Sequence, residues 1–432
     1  MPPSTDLTVA RTQVPLVTGS VIDYANLDHA ASAPCLEAVR EAVDEFLPWY
    51  ASAHRGAGFA SQVSTKVYER ARHVLRRFVD TREDDEVIFT RNTTDALNLL
   101  ASSLPPHTSV VLCDTEHHAA LLPWHGKTIQ RIATPRTRTE ATAEVDRALA
   151  VCPDGPRLVV LTGASNVTGE VLPVAEIAAV ARRHGARIAL DAAQLAPHRP
   201  ISVRQLDVDY VALSGHKIYA PFGAGALIGR ADWLAAAPPY LSGGGATQAV
   251  TESGVVWRSG PDRHEAGSPN TIGVYALSVA CERLAADWDL VIGHEARLLD
   301  RLDEGLSSIP GLTPLRLFDD HGDRTGTLSF VLHGFDPGLL AATLSAEYGI
   351  GVRDGAFCAH IATRRLITRV RGEGTAAVRA SIGLGTTTEH VDRLVLALRQ
   401  LADRGPNWTY ARHNGRWAPD PDPRALPTFL AG

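Results

Sequence analysis

Between residues 85 and 230 the chain alternates short, unbroken apolar runs with longer stretches whose apolar residues recur every three or four positions. Residues 87–90, 110–112, 158–161, 188–190, 210–213 and 226–228 read as strands. They are too short for helices, and their apolar character throughout fits strands buried on both faces. Residues 93–101, 139–151 and 174–184 read as the helices between them. The alternation predicts an α/β fold with a mostly parallel sheet covered on both sides, and a site beyond the carboxyl ends of its strands.

Further along, residues 241–270 are rich in Gly, Ser and Thr and show little periodicity, which predicts a long functional loop. Residues 271–287 and 294–308 then read as helices, the second leading into a smaller α+β region around 327–331. The stretch 405–432 holds five prolines together with Trp408, Tyr410 and Trp417, so it cannot form a regular helix. There is no internal repeat and no heptad run.

Composition narrows the function classes. A chain of 432 residues, 45% hydrophobic, can bury a large core and more than one domain. A formal charge of −6 without a basic cluster argues against a nucleic-acid partner. No apolar run reaches the length of a membrane span, and Met1 to Asp6 lack the apolar core of a signal peptide, so a soluble, cytoplasmic protein is expected. The five cysteines are odd in number and scattered, with no C-x-x-C pair. Neither a disulfide framework nor a zinc site is expected, and most of them read as small buried hydrophobes.

The chemistry begins at Ser214-Gly215-His216-Lys217. Lys217 is one of three lysines, with Lys66 and Lys127, among 42 basic residues that are otherwise arginine. Arginine serves wherever only charge is needed but cannot form a Schiff base, so a lysine at the end of a strand, before the Gly-rich residues 221–225, points to use of its amine. A surface lysine in a turn is the plain alternative. A second apolar strand ends in Asp191, which on its own would read as a helix cap. Together with a Schiff-base lysine, a strand-end carboxylate reads instead as the partner of the pyridinium nitrogen of pyridoxal phosphate. Amino-acid substrates need their carboxylate held, which a guanidinium does in bidentate fashion. The adjacent histidines of Glu116-His117-His118 lie on too short a segment to converge on one ion, so no metal site is assigned.

Ten motifs in order make the chain resemble the fold-type I, class V aminotransferase group, and within it the Suf-type (group II) cysteine desulfurases and their relatives. They are Leu27-Asp28-His29-Ala30-Ala31, His54-Arg55-Gly56, Asn92-Thr93-Thr94-Asp95, Glu116-His117-His118-Ala119 with Pro123-Trp124, Ser165-Asn166-Val167-Thr168-Gly169, Asp191-Ala192-Ala193-Gln194, Ser214-Gly215-His216-Lys217, Glu265-Ala266-Gly267-Ser268-Pro269-Asn270, Arg353-Asp354-Gly355-Ala356-Phe357-Cys358-Ala359 and Val378-Arg379-Ala380-Ser381. The resemblance runs from about residue 27 to 398. It implies a large domain with a seven-stranded sheet over 30–285, a small α+β domain from 1–29 and 286–404, and a tail over 405–432.

It also implies roles. Thr93, Thr94, Ser214 and His216 would hold the cofactor phosphate, with Ser268 reaching it from a neighbouring subunit of a homodimer. His117 would stack on the ring, Asp191 face its nitrogen, Gln194 bind its O3′ and Lys217 carry it. Asn166 and Arg379 would hold the substrate carboxylate, with Ala30 and Arg353 near it and His54 and Arg55 supplied by the partner. The loop at Asn92 differs from the usual glycine. Around Cys358 the resembling desulfurases show Arg-x-Gly-His-His-Cys-Ala, and here both histidines are lost, which removes groups that lower a thiol's pKa or shuttle protons. His360 follows at once. Cys358 is therefore expected either as the nucleophile that takes sulfur from cysteine, for passage to an acceptor, or as a residue retained beside other chemistry. The expected function is cleavage of the Cβ–S bond of cysteine or a cysteine conjugate, by desulfuration or β-elimination. Transamination or epimerisation with Cys358 as a bystander is the alternative, and a non-catalytic regulator on the same fold the more distant one.

Overall fold

The computed structural model describes residues 7–9 and 11–430. The expectations for Met1 to Asp6 and for Gly432 therefore lie outside the described residues. A seven-stranded sheet organises the larger part, in the order Asp85–Thr90, Gly225–Arg230, Tyr210–Ser214, Arg187–Asp191, Arg157–Thr162, Ser109–Cys113, Thr128–Ile132. Gly225–Arg230 runs antiparallel to both its neighbours, and the rest are parallel. Six of these strands are the apolar runs of the sequence. The seventh, Thr128–Ile132, was not foreseen, because at the sheet's edge it keeps only Ile132 buried.

Double-sided burial explains the unbroken runs. Val111, Val159, Leu161, Ile188 and Leu190 enter one core with the helices Phe59–Phe78, Val174–Arg183 and Thr271–Ala286. Their chain neighbours Val110, Leu112, Leu158, Val160 and Ala189 enter the opposite core, with Leu97 and Leu100 of the helix Thr93–Ser103 and with Trp124. At roughly 1.5–3 kcal/mol for each fully buried large side chain, polar positions on either face would be costly.

A second, antiparallel sheet of four strands has the order Leu312–Pro314, Thr327–Leu332, Ala377–Ser381, Arg353–Gly355. Its core of Leu328, Phe330 and Val378 is closed by Leu298, Leu302 and Leu306 of Trp288–Ser307, by Leu340 and Leu344 of Pro337–Tyr348 and by Leu394 and Leu398 of Thr388–Arg404. Leu27, near the start of the chain, joins the same core. Trp288–Ser307 begins six residues earlier than expected, where Asp287 caps it by accepting from Leu290 N at 2.9 Å.

Two segments correct the sequence reading. Residues 241–270 contain a β-hairpin, Thr247–Thr251 with Gly254–Trp257. Both its faces are largely exposed, so no apolar repeat betrays it. The tail is not helical, as expected, but it forms a hairpin of Tyr410–His413 and Arg416–Pro419 on the helix Pro337–Tyr348 of its own chain. Tyr410 Oη donates to Glu347 at 3.1 Å and Trp417 Nε1 to Asp336 at 3.1 Å. All five cysteines are free thiols, but only Cys152 and Cys281 are buried, fewer than expected. Among the described residues no helix is long and apolar enough to cross a membrane.

Candidate active site

Five parallel strands end at one edge of the large sheet, and each delivers residues to one cavity of about 240 Å³. Asp85–Thr90 leads to Asn92, Thr93 and Thr94; Ser109–Cys113 to His117; Arg157–Thr162 to Thr162, Ala164 and Asn166; Arg187–Asp191 to Asp191 and Gln194; Tyr210–Ser214 to Ser214, His216 and Lys217. Ala30, Arg353, Phe357, Cys358 and Arg379 close the opposite wall.

On the first wall, Asn92 caps the helix Thr93–Ser103 by accepting from Asp95 N at 3.0 Å. Asparagine here thus serves as a helix cap where the resembling family has glycine. The first turn of that helix presents Thr93 and Thr94, and Ser214 Oγ accepts from Thr93 N at 2.8 Å. Gly225 makes the approach possible, since a Cβ there would lie 2.7 Å from Asn92 Cα and 2.6 Å from Leu213 O. Hydroxyls and free N–H groups at a helix N-terminus form an anion site.

Beside it lie an acid, an amine and an imidazole. Burial raises the Asp191 carboxyl above the usual carboxylate range, opposed by Ala193 N, which donates to it at 2.9 Å, and by the Lys217 charge. Burial also pushes the Lys217 amine down to about 8, with Arg379 acting in the same direction and Asp191 against it. His117 is pushed down to about 3 by burial and then by Lys217, so its ring is neutral at pH 7. Its Nδ1 accepts from Ala119 N at 3.0 Å, which assigns the ring proton to Nε2. Gln194 Nε2 donates to Ala30 O at 2.7 Å.

On the opposite wall, the Arg379 guanidinium is buried between Asn166 O, at 2.9 Å, and Asp28 Oδ1, at 3.0 Å. Its Nε is buried without a partner, and its charge lies 5.1 Å from the Phe357 ring centre. Arg353 pairs across the strands with Arg379 but is exposed. Phe357 and Cys358 both have φ near 53°, in the left-handed region that costs a non-glycine residue about 1–3 kcal/mol. Three hydrogen bonds hold this turn: Asn166 Nδ2 to Phe357 O at 2.7 Å, His118 N to Cys358 O at 2.8 Å and Ala359 N to Ala356 O at 2.8 Å. Cys358 is exposed, and the His118 and His360 rings meet edge-to-face next to it, 4.6 Å between centres.

The structure thus brings together Ala30, Thr93, Thr94, His117, Asn166, Asp191, Gln194, Ser214, His216, Lys217, Arg353, Cys358 and Arg379. It does not bring His54, Arg55 or Ser268 there. His54 and Arg55 line a separate pocket with Gly245 and Gly267, and exposed Ser268 follows Gly267. Glu265 anchors that region by accepting from Tyr68 Oη at 2.8 Å and from Arg72 Nη1 at 3.0 Å. Thr162, Ala164, Ala193 and Ala119 line the cavity without having been foreseen. The available signal was positional, since Thr162, Ala164 and Ala193 stand at or just past a strand's carboxyl end and Ala119 lies in the short helix His118–Leu121 that follows one.

Residues 25–394 match the family described as Aminotransferase class-V. The cysteine desulfurase of Pectobacterium atrosepticum is 32% identical over 403 residues, covering 89% of this chain and 94% of the relative. That of Klebsiella pneumoniae is 34% identical over 400 residues, with the same coverage. Among solved structures, the cysteine desulfurase CsdA of Escherichia coli superposes with a TM-score of 0.76 at 31% identity, covering 88% of this chain and 95% of the other. A match over most of its length, with one cavity at the strand ends, makes this chain a member of the class-V aminotransferase family.

Proposed function

We propose that this chain is a pyridoxal phosphate enzyme that breaks the Cβ–S bond of L-cysteine or of a cysteine conjugate. The observation that carries the reading is one cavity lined by Lys217, Asp191 and His117 on one wall and by Arg379 and Cys358 on the other. The relatives named cysteine desulfurase support it. The family uses pyridoxal phosphate, and this site fits it: an anion-binding helix start, a buried acid, a neutral imidazole and a buried amine share one wall, and the buried Arg379 Nε awaits an acceptor. When bound, the cofactor supplies an electron sink for charge developing at the substrate Cα.

The residues would divide the work as follows. Thr93, Thr94, Ser214 and His216 would hold the phosphate, Asp191 would pair with the ring nitrogen, Gln194 would bind O3′, and the neutral His117 ring would pack on the cofactor. Lys217 would hold the cofactor through its amine, and that amine in its neutral form is the group placed to accept a proton from the substrate Cα. Arg379 binds the substrate carboxylate, assisted by Asn166 and Arg353. Cys358 Sγ then attacks the substrate sulfur. An S–S bond forms as Cβ–S breaks, the electron pair stays with Cβ, and protonation there gives alanine and a persulfide for an acceptor. The Arg-x-Gly…Cys-Ala pattern around Cys358 supports the Suf-type subgroup. The separate placement of His54, Arg55 and Ser268 supports a homodimer in which they serve the partner's cavity, and the two sheets with their own cores support a large domain over 30–285 and a small one from 1–29 and 286–404.

A second reading has a specific observation behind it. Ala356 and Phe357 precede Cys358 and offer no proton donor, which favours β-elimination from an S-substituted cysteine, giving a thiol, pyruvate and ammonia. One experiment separates the two. Borohydride reduction and peptide mass spectrometry are expected to place the cofactor on Lys217. Cys358→Ala is expected to keep that label and abolish sulfide and alanine formation from cysteine. Loss of no more than half the turnover would refute the persulfide route, and a label elsewhere would refute the reading as a whole.

A further inference from the structure

Glu116 is a buried acid beside the cavity that none of these steps uses. It is 1% exposed. Its Oε2 accepts from Thr162 Oγ1 at 2.5 Å and its Oε1 from Thr162 N at 3.3 Å. Thr162 lines the cavity and stands opposite Asp191 in the parallel strand pair. Glu116 therefore holds the threonine that sits in register beside Asp191.

Their surroundings differ. Asp191 has the Ala193 N–H and feels the charge of Lys217, whereas among the described residues the donors to Glu116 are the neutral Thr162 N–H and hydroxyl. Among the described residues the titratable groups that act on Glu116 are Asp191, one strand beyond Arg157–Thr162, and the Cys113 thiol at the end of the strand that leads to Glu116, and neither is cationic. Two neighbouring carboxyls in a dry site do not both ionise cheaply, and the proton goes to the one with the weaker support. Consistent with this geometry, burial and then Asp191 push Glu116 up to about 8.

We propose that Glu116 is a positioning residue that anchors Thr162 beside Asp191 and carries the proton of this carboxyl pair, so that the negative charge facing the cofactor ring nitrogen stays on Asp191. The inference rests on the reading of Asp191 as the ring-nitrogen partner. Its local half does not, because the proton on Glu116 is a property of the protein without cofactor.

The test combines carboxyl infrared spectra of the cofactor-free protein with pyridoxal phosphate dissociation constants, both from pH 6 to 9.5. Wild type is expected to show a protonated-carboxyl band at pH 6.5 that disappears around pH 8, and Glu116→Gln to lack it. Thr162→Val removes a donor to the ionised form, so the band should then persist to higher pH. The positive ring nitrogen favours an ionised Glu116, and linkage is reciprocal. The Kd ratio, Glu116→Gln over wild type, should therefore rise about threefold or more between pH 7 and 9.5. A band that survives in Glu116→Gln, a midpoint unmoved in Thr162→Val, or a Kd ratio flat with pH would each overturn the proposal. Absence of cofactor on Lys217 in wild type would instead sink the functional reading, leaving the infrared result to decide the role of Glu116.

Discussion

At the scale of single residues, Lys217 shows how burial turns an ordinary side chain into a reagent. Desolvation brings its amine from 10.5 down to about 8, while Asp191 limits the fall. The neutral amine is then about three hundredfold more abundant at neutral pH than on an exposed lysine. Because the neutral form is the nucleophile and lies above the pKa, uptake of pyridoxal phosphate by cofactor-free protein should climb about tenfold per pH unit below 8 and level off above it. Stopped-flow absorbance would show this, and a rate still climbing steeply at pH 10 would place the amine in water. Lys217 and Asp191 were legible because each stands in a local motif at the end of an apolar run. Phe357 was legible only as a departure from the resembling pattern, because its place beneath Arg379 comes from a contact between elements far apart in the chain.

At the scale of elements, the start of the helix Thr93–Ser103 does two jobs, opening the crossover that leaves the strand Asp85–Thr90 and presenting donors to the cavity. Asn92 secures it with one side-chain hydrogen bond to Asp95 N. Asn92→Ala should cost about 1 kcal/mol of stability, and Asn92→Gly only a few tenths. Equilibrium urea unfolding measures both, and equal losses would show that the cap does not matter. Strands covered on two sides and helices with an apolar stripe were readable from the sequence. Thr128–Ile132 and the hairpin at Thr247–Thr251 and Gly254–Trp257 were not, since their exposed faces carry no hydrophobic period.

At the scale of the whole molecule, the prediction concerns subunits. If Ser268 serves the partner's cavity, mixing Lys217→Ala protomers with Ser268→Ala protomers should restore activity, because each mixed dimer holds one intact site and one doubly altered site. Random exchange would then return up to about a quarter of the wild-type activity per protomer. No recovery after exchange demonstrated by mass spectrometry would confine each site to one chain. The cavity itself is a whole-molecule product, since Arg379 comes from the second sheet and Cys358 from the turn after its strand Arg353–Gly355, both more than a hundred residues beyond Lys217.

The alternation of buried strands with helices between residues 85 and 230, and the candidate amine Lys217, acid Asp191 and arginine Arg379 that line the cavity, were written in local patterns of this chain. Those features depend on residues close in sequence or on motifs met whole. The closeness of Cys358 to Lys217, the neutral tautomer of His117, the hold of Glu116 on the threonine beside Asp191, and the separation of Ser268 from its own cavity belong to the folded molecule alone. Each depends on burial and on contacts across strands, and neither desolvation nor register between distant segments can be read from a linear chain.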